Sequence, residues 1–185
     1  MGIKTGKIFV ISAPSGTGKT SIMKPFLKKY PEFVYSVSAT TRKKRENEID
    51  GVDYFFISEE EFKVKIEKSE FLEWECVYDY FYGTLKKFVE DTISDGKNIL
   101  VEVEVKGALS IKKKYPESNL IFIEPPSFDE LSKRLKNRRT EDEVDLHKRL
   151  ERARWEMDQK LLFDKCILNL NLDEAIKHLE EELTK

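Results

Sequence analysis

The chain begins with a short apolar run followed by an amphipathic stretch. Residues from Lys7 to Ser12 form an apolar run bounded by turn residues, a pattern typical of a buried parallel strand. The stretch from Lys19 to Tyr30 then predicts a helix. Pro25 lies about two turns into this helix. We therefore expect either a kink near Thr20 and Ser21 or an early helix start that tolerates the missing N–H group.

The C-terminal half continues this rhythm of strands and helices. Apolar runs predict strands at 98–103, 119–124 and 165–170, and amphipathic stretches predict helices at 85–94, 105–114, 127–137 and 173–183. Strands that alternate with helices predict a parallel sheet covered by helices, so we expect a three-layer α/β fold. Residues 134–154 carry charges of both signs and few large apolar side chains, which predicts an exposed helical arm.

A mainly β region separates these two parts of the chain. Strand-like segments lie at 33–38 and 54–57, and the basic stretch between them is typical of a ligand loop. Ser58, followed three residues later by Glu61, predicts a helix that starts with a capping box. The region therefore reads as a small subdomain inserted into the α/β core.

The end of this inserted region predicts an antiparallel hairpin. Residues 71–84 are rich in aromatic and β-favouring side chains on both sides of Asp79. We expect Tyr78, Tyr80 and Phe81 to pack in the core of this hairpin.

Composition and charge restrict the class of protein. The chain has 185 residues, 39% hydrophobic and 37% charged, with a net charge of −2, which predicts one globular domain without a general attraction to nucleic acid. No apolar segment approaches the roughly 20 residues that span a bilayer, so we expect no membrane association. Cys76 and Cys166 lie far apart, which favours a reducing cytoplasmic location. We expect a core at 1–32, 85–133 and 159–185, a β subdomain at 33–84 and a helical arm at 134–158.

A glycine-rich sequence lies between the first predicted strand and helix. It consists of Ala13, Pro14, Ser15, Gly16, Thr17, Gly18, Lys19 and Thr20. A strand, a glycine-rich turn and a helix place backbone N–H groups and the positive helix end around a polyphosphate. In such P-loops the lysine, here Lys19, reaches the β and γ phosphates, and the hydroxyl of Thr20 helps to hold Mg²⁺. The sequence therefore predicts a P-loop NTPase fold that binds ATP and Mg²⁺.

Further motifs resemble one family of P-loop enzymes. The string from Ser36 to Arg45, followed by Glu48, Gly51 and Tyr54, is similar to the guanylate kinase pattern S-x-S-x-T-T-R-x-x-R, G-E-x-x-G-x-x-Y. Matching motifs recur in order at 71–73, 82–84, 107–108, 125–127 and 134–140. The resemblance implies phosphoryl transfer from ATP to GMP, with dGMP as a second acceptor, and a helical lid at 134–158. The β subdomain would then bind GMP.

Arginine and tyrosine side chains of the inserted region suit the phosphate of GMP. Arg42 and Arg45 lie three residues apart, and guanidinium groups match phosphate oxygens. With the hydroxyls of Tyr54 and Tyr82 they would form a donor cluster for the GMP phosphate.

The resemblance also implies which residues recognise guanine. Guanine offers N1–H and 2-amino donors on one edge, which a carboxylate accepts. By resemblance, Glu73 accepts from the base, Ser38 and Thr84 provide hydroxyls, and Glu104 takes the amino group. Glu102 would position GMP or, through water, Mg²⁺.

Three lid arginines and one asparagine complete the site that the resemblance implies. Arg134, Arg138 and Arg149 match the family's lid arginines, whose charges would act in catalysis together with Lys19 and Arg42. Asn169, at the end of the last predicted strand, matches a family residue near the adenine of ATP.

Two other functions share parts of this pattern. Guanylate-kinase-like modules keep the fold and bind phosphopeptides without catalysis, but such modules characteristically lack a working P-loop. A P-loop kinase for another phosphorylated small molecule would share the phosphate loop and the lid without needing Glu73, Ser38 and Thr84. The sequence leaves open whether the protein is a monomer or a homodimer.

Overall fold

The structure is a computed structural model that describes residues 5–136 and 143–184. The strands are β1 (Ile8–Ser12), β2 (Val34–Ser36), β3 (Ala39–Thr40), β4 (Phe55–Phe56), β5 (Phe71–Val77), β6 (Tyr80–Leu85), β7 (Ile99–Glu102), β8 (Asn119–Glu124) and β9 (Lys165–Leu168). The helices are α1 (Lys19–Lys29), α2 (Glu59–Glu67), α3 (Lys86–Ser94), α4 (Val105–Lys114), α5 (Phe128–Lys136), α6 (Glu143–Asp158) and α7 (Leu172–Leu183). A 3-10 turn, Gln159–Leu162, follows α6. The expected order of strands and helices is confirmed.

A five-stranded sheet forms the core, in the order β2-β7-β1-β8-β9. The pairs β2–β7 and β8–β9 are parallel, as the alternation of strands and helices predicts. All five residues of β1 are buried, which explains why its sequence is apolar from Ile8 to Ile11 rather than alternating. Pro25 lies inside α1, and the helix continues beyond it to Lys29.

A second sheet has the strand order β4-β3-β6-β5. The hairpin β5–β6 is antiparallel, as predicted, and the backbone of Tyr78 turns the chain with a φ of 54°. Phe81 packs against a small core that contains Phe62 and Phe71. The expectation for Tyr78 and Tyr80 was wrong, because these side chains are 41% and 42% exposed at the hairpin tip, beyond that core.

The capped helix beside this sheet follows its sequence pattern. The hydroxyl of Ser58 accepts a hydrogen bond from the N–H of Glu61 at 3.1 Å, which satisfies one free donor of the first turn of α2. Phe62 then buries its ring completely.

The observed boundaries differ from the expected ones at the start of the inserted region. Strand β2 pairs with β7 in the five-stranded sheet, so Val34–Ser36 belong to the core sheet rather than to the β subdomain that we expected at 33–84. The reason is that β2 finds its partner far along the chain, which a local pattern does not reveal.

The described chain forms two compact units. One contains the N-terminal residues through Val10 together with Glu32–Ser118, and the other contains Ile11–Pro31 and the chain from Asn119 onward. In the second unit, α5 and α6 pack through buried Leu131, Leu135 and Ala153. Among the described residues, none of the helices is long and apolar enough to cross a membrane.

Candidate active site

The glycine-rich loop is shaped by two residues with left-handed backbone. Gly16 has a φ of 89° and Gly18 a φ of 95°, conformations that glycine adopts without steric cost. Thr17, completely buried between them, donates its N–H and its hydroxyl to the carbonyl of Pro14 at 3.2 and 2.7 Å. The loop is therefore held from within.

Helix α1 starts directly after the glycine-rich loop. Gly18 is the cap residue and supplies no side-chain hydrogen bond to the first turn. Backbone N–H groups at such a helix start, with the positive end of the helix dipole, suit a phosphate. The Nζ atom of Lys19 donates to the carbonyl of Ala13 at 3.3 Å, and Thr20 is exposed.

Asn169 supports the loop from the end of β9. Its side chain is 9% exposed, and Nδ2 donates to the carbonyl of Thr17 at 2.7 Å. A Cβ atom on Gly18 would lie 3.4 Å from the same Nδ2. The asparagine therefore lies directly against the phosphate loop, within the second unit.

A buried carboxylate lies on the hairpin of the first unit. Glu73 is 6% exposed and stands opposite Thr84 in the β5–β6 register. The Thr84 hydroxyl donates to Oε1 of Glu73 at 2.7 Å. The other oxygen, Oε2, lies so close to Gly107 of α4 that a Cβ atom at that position would be only 2.5 Å from it. The close approach of the carboxylate therefore needs glycine at position 107.

The environment of Glu73 changes its proton affinity. Burial, the largest cause, raises the pKa of Glu73 to about 7, with a smaller push from the charge of Glu75. The hydrogen bonds from Thr84 and the charge of Lys114 act in the opposite direction. Glu73 therefore titrates near neutral pH in the ligand-free protein.

Arg42 lies in a cluster of tyrosine rings and one carboxylate. Its guanidinium group lies 5.5 Å from the ring centre of Tyr54, whose ring is 6.0 Å from that of Tyr82. Nη1 and Nη2 donate to the two oxygens of Glu48 at 3.0 and 2.6 Å, and Nη1 also donates to the carbonyl of Lys43 at 2.8 Å. These bonds use three of the five guanidinium N–H groups, and Arg42 also forms a side-chain hydrogen bond with Tyr82.

The carboxylate of Glu48 also organises the loop around Arg42. The hydrogen bond from Arg42, the largest cause, lowers the pKa of Glu48 and so keeps this carboxylate ionised. Glu48 additionally accepts from the backbone N–H of Arg45 at 2.8 Å. The side chain of Arg45 is exposed, and Ser38 is half-buried.

Two glutamates lie at the end of β7. Glu102 is the last residue of the strand, and Glu104 is the cap residue of α4. The Tyr35 hydroxyl donates to Oε2 of Glu102 at 3.2 Å. Burial raises the pKa of Tyr54 well above its ordinary range, and the charges of Glu102 and Glu104 contribute, so both carboxylates act on the tyrosine beside Arg42.

Two of the three arginines expected in a lid lie on the packed pair α5 and α6. Arg134, in the last turn of α5, is half-exposed and donates Nε to Glu130 at 3.4 Å. Arg149 lies on α6 and is half-buried. Arg138 lies outside the described residues.

Comparison with known proteins assigns the family. A family model described as guanylate kinase matches residues 5–185. The chain belongs to the guanylate kinase family. The guanylate kinase of Thermotoga maritima is 49% identical over 172 residues, which cover 93% of this chain and 83% of that protein. The guanylate kinase of Mycoplasma genitalium is 46% identical over 180 residues, covering 96% and 75%.

A solved structure agrees with this membership. The crystal structure of guanylate kinase from Anaplasma phagocytophilum matches with a TM-score of 0.81 at 28% identity, covering 98% of this chain and 86% of that one. The α/β fold with a parallel core sheet, expected from the sequence, is therefore confirmed.

Within this guanylate kinase, the expected ligand residues fall into two groups by compact unit. The first unit contains all residues expected to bind GMP: Ser38, Arg42, Arg45, Tyr54, Glu73, Tyr82, Thr84, Glu102 and Glu104. The second contains the phosphate loop with Asn169, Arg134 and Arg149. Sequence reasoning gave no role to Tyr35, and it selected neither Glu48 nor Gly107 as a site residue. Glu48 and Gly107 belong to the matching motifs, which is the signal that marks them.

Proposed function

We propose that this guanylate kinase transfers the γ-phosphoryl group of ATP to GMP, and to dGMP, giving ADP and GDP. One observation carries the proposal. Glu73 is buried and bonded to Thr84, its partner on β6, and Thr84 lies two residues from Tyr82, which belongs to the Arg42 cluster. A buried acceptor close to a cationic cluster suits a ligand with a base at one end and a phosphate at the other.

The buried carboxylate suits guanine by its hydrogen-bonding chemistry. Ionised Glu73 accepts hydrogen bonds only, and guanine offers N1–H and the 2-amino group as adjacent donors. Thr84 already gives its single proton to Glu73, so Ser38 is the better donor to O6 of the base. AMP lacks this pair of donors and would leave a buried carboxylate without partners, which costs free energy. We assign the 2-amino group a second acceptor in Glu104.

The Arg42 cluster suits the phosphate of GMP. The guanidinium group of Arg42 carries the positive charge, and the hydroxyls of Tyr54 and Tyr82 add neutral donors. Arg45, exposed on the same loop, would add a second guanidinium group when the ligand is bound.

We assign ATP binding to the glycine-rich loop at residues 13–20, the phosphate loop. Lys19 would exchange its bond to the Ala13 carbonyl for the β and γ phosphates, and backbone N–H groups at the start of α1 would bind the phosphate oxygens. Asn169 would keep the loop in shape while lying near the adenine. Arg134, Arg138 and Arg149 would neutralise charge on the transferred group, and an anionic acceptor phosphate needs no general base.

The residues present fit a magnesium ion bound with ATP. Mg²⁺ prefers oxygen ligands and is usually held by one or two protein groups together with substrate phosphates and water. Thr20 offers an exposed hydroxyl in the first turn of α1. The ion would supply charge neutralisation on the β and γ phosphates.

A cytoplasmic role in purine nucleotide metabolism completes the proposal. Its support is the pair of free cysteines, Cys76 and Cys166, both exposed, which a reducing compartment keeps as thiols.

A coupled assay of ADP release with GMP, AMP, UMP and CMP as acceptors tests the proposed function. We expect turnover with GMP that exceeds turnover with AMP by at least about a hundredfold, because a site built for hydrogen-bond donors rejects analogues that lack them. Lys19→Met should lower kcat by several orders of magnitude. Equal rates with GMP and AMP would favour a kinase for another small molecule, and no turnover with any acceptor would favour a phosphopeptide-binding module.

A further inference from the structure

Tyr35 lies beside the proposed GMP residues without belonging to them. It is the central residue of β2 and pairs in register with Leu100 of β7. Side chains alternate along a strand, so Leu100 and Glu102 project from the same face of the sheet as Tyr35. The Tyr35 hydroxyl thereby reaches Oε2 of Glu102, to which it donates at 3.2 Å.

The Tyr35 phenol is the donor in this bond, and Oε2 of Glu102 is the acceptor.

The Tyr35 hydroxyl leaves half of the Glu102 carboxylate available. Only Oε2 accepts a hydrogen bond within the described residues, and Oε1 accepts none there. Glu102, Tyr35 and the Arg42 cluster belong to the same compact unit. A carboxylate held by one oxygen and open at the other suits contact with a ligand.

We infer that Tyr35 is a positioning residue for the GMP reaction, which holds the Glu102 carboxylate at the end of β7 so that its second oxygen faces the substrate. This inference rests on the proposed function. A glutamate side chain has three rotatable bonds, and its rotamer freedom would otherwise be lost on binding. A hydrogen bond formed before the ligand arrives removes part of that loss, which is a form of preorganisation.

The test combines Tyr35→Phe, Glu102→Gln and the double variant. GMP binding is measured by calorimetry without ATP or metal, and kcat/KM for GMP is measured at saturating ATP. We expect Tyr35→Phe to weaken both about tenfold, since hydrogen bonds to charged groups contribute on that order. In the Glu102→Gln background, Tyr35→Phe should have less than about a twofold further effect, because the group that it positions is gone.

Tyr115→Phe is the matched control. The Tyr115 hydroxyl donates to Oε1 of Glu90 at 2.6 Å, so this variant removes the same kind of bond in the same compact unit, at two residues with no proposed role in binding. We expect it to leave GMP affinity and kcat/KM within about twofold of the unmodified protein.

Two results would overturn the inference. One is a Tyr35→Phe variant whose GMP affinity and kcat/KM both lie within twofold of those of the unmodified protein. The other is an equal loss of affinity from Tyr35→Phe in the unmodified and the Glu102→Gln backgrounds, which would show that the phenol acts independently of Glu102. If the unmodified protein did not bind GMP, the proposed function itself would be refuted. Failure of the inference and failure of the proposed function are therefore distinguishable.

Discussion

The pKa of Glu73 predicts how GMP affinity depends on pH. Under the proposed function Glu73 would accept two guanine donors, which requires its ionised form, and burial raises its pKa to about 7. GMP should therefore bind the ionised form and release a proton from the fraction that is protonated. Between about pH 6 and about pH 8 the ionised fraction rises about tenfold, so the contribution of Glu73 to affinity should rise about tenfold as well.

The measurement must separate Glu73 from the phosphate of GMP, which also titrates near pH 6. Calorimetric dissociation constants for GMP are compared at several pH values between the unmodified protein and Glu73→Gln. Gln has no proton to lose, so the ratio of the two affinities cancels the titration of the ligand. Calorimetry in buffers of different ionisation enthalpy counts the released proton directly.

A flat ratio of affinities from pH 6 to pH 8 would refute this reasoning. It would mean that Glu73 is already ionised at pH 6 or that it does not contact the base. A ratio that falls as pH rises would be equally damaging, because it would require the protonated carboxyl to be the binding form. ATP affinity in the unmodified protein and in the variant should follow the same pH dependence, since the phosphate loop lies in the other compact unit.

Three further substitutions test individual contacts. Glu48→Gln should raise KM for GMP about tenfold with little change in kcat, because it weakens the paired bonds that orient Arg42, whereas Glu46→Gln on the same loop should change neither in steady-state assays. Gly107→Ala should weaken GMP binding at least tenfold in calorimetry, because the added Cβ atom would lie 2.5 Å from Oε2 of Glu73. Unchanged GMP affinity would contradict that packing. Asn169→Asp places a carboxylate against the carbonyl of Thr17. It should weaken ATP binding at least tenfold and leave GMP affinity unchanged in the same titrations.

The arrangement of strands and helices was predictable because each element carries its own signal. The apolar run of β1 and the capping serine before α2 depend on neighbouring residues only. The placement of β2 was not predictable in this way, since its partner β7 lies far along the chain. The exposed rings of Tyr78 and Tyr80 show the same limit, because hydrophobic content does not reveal where a small core ends.

The candidate site divides along the same line. Residues that we propose to contact a ligand directly, such as Lys19 and Glu73, belong to motifs that can be recognised in the sequence. Residues that act through another side chain have no such signature: Tyr35 became visible only through its bond to Glu102. Glu48 lay within a recognised motif, but its role depends on the geometry of its paired bonds to Arg42.

The buried carboxylate also links stability to specificity. The pKa of Glu73 is higher in the folded protein than its ordinary 4.5, so the folded state binds the proton more tightly than the unfolded chain. Stability is therefore lost as pH rises from about 4.5 to about 7, by about 3 kcal/mol in all, and the loss persists above pH 7. Under the proposed function, GMP would offset this cost, because its two N–H donors would replace the water that the carboxylate gave up on folding. AMP would provide no such pair, so the free energy that Glu73 costs the free protein would become discrimination between the two bases.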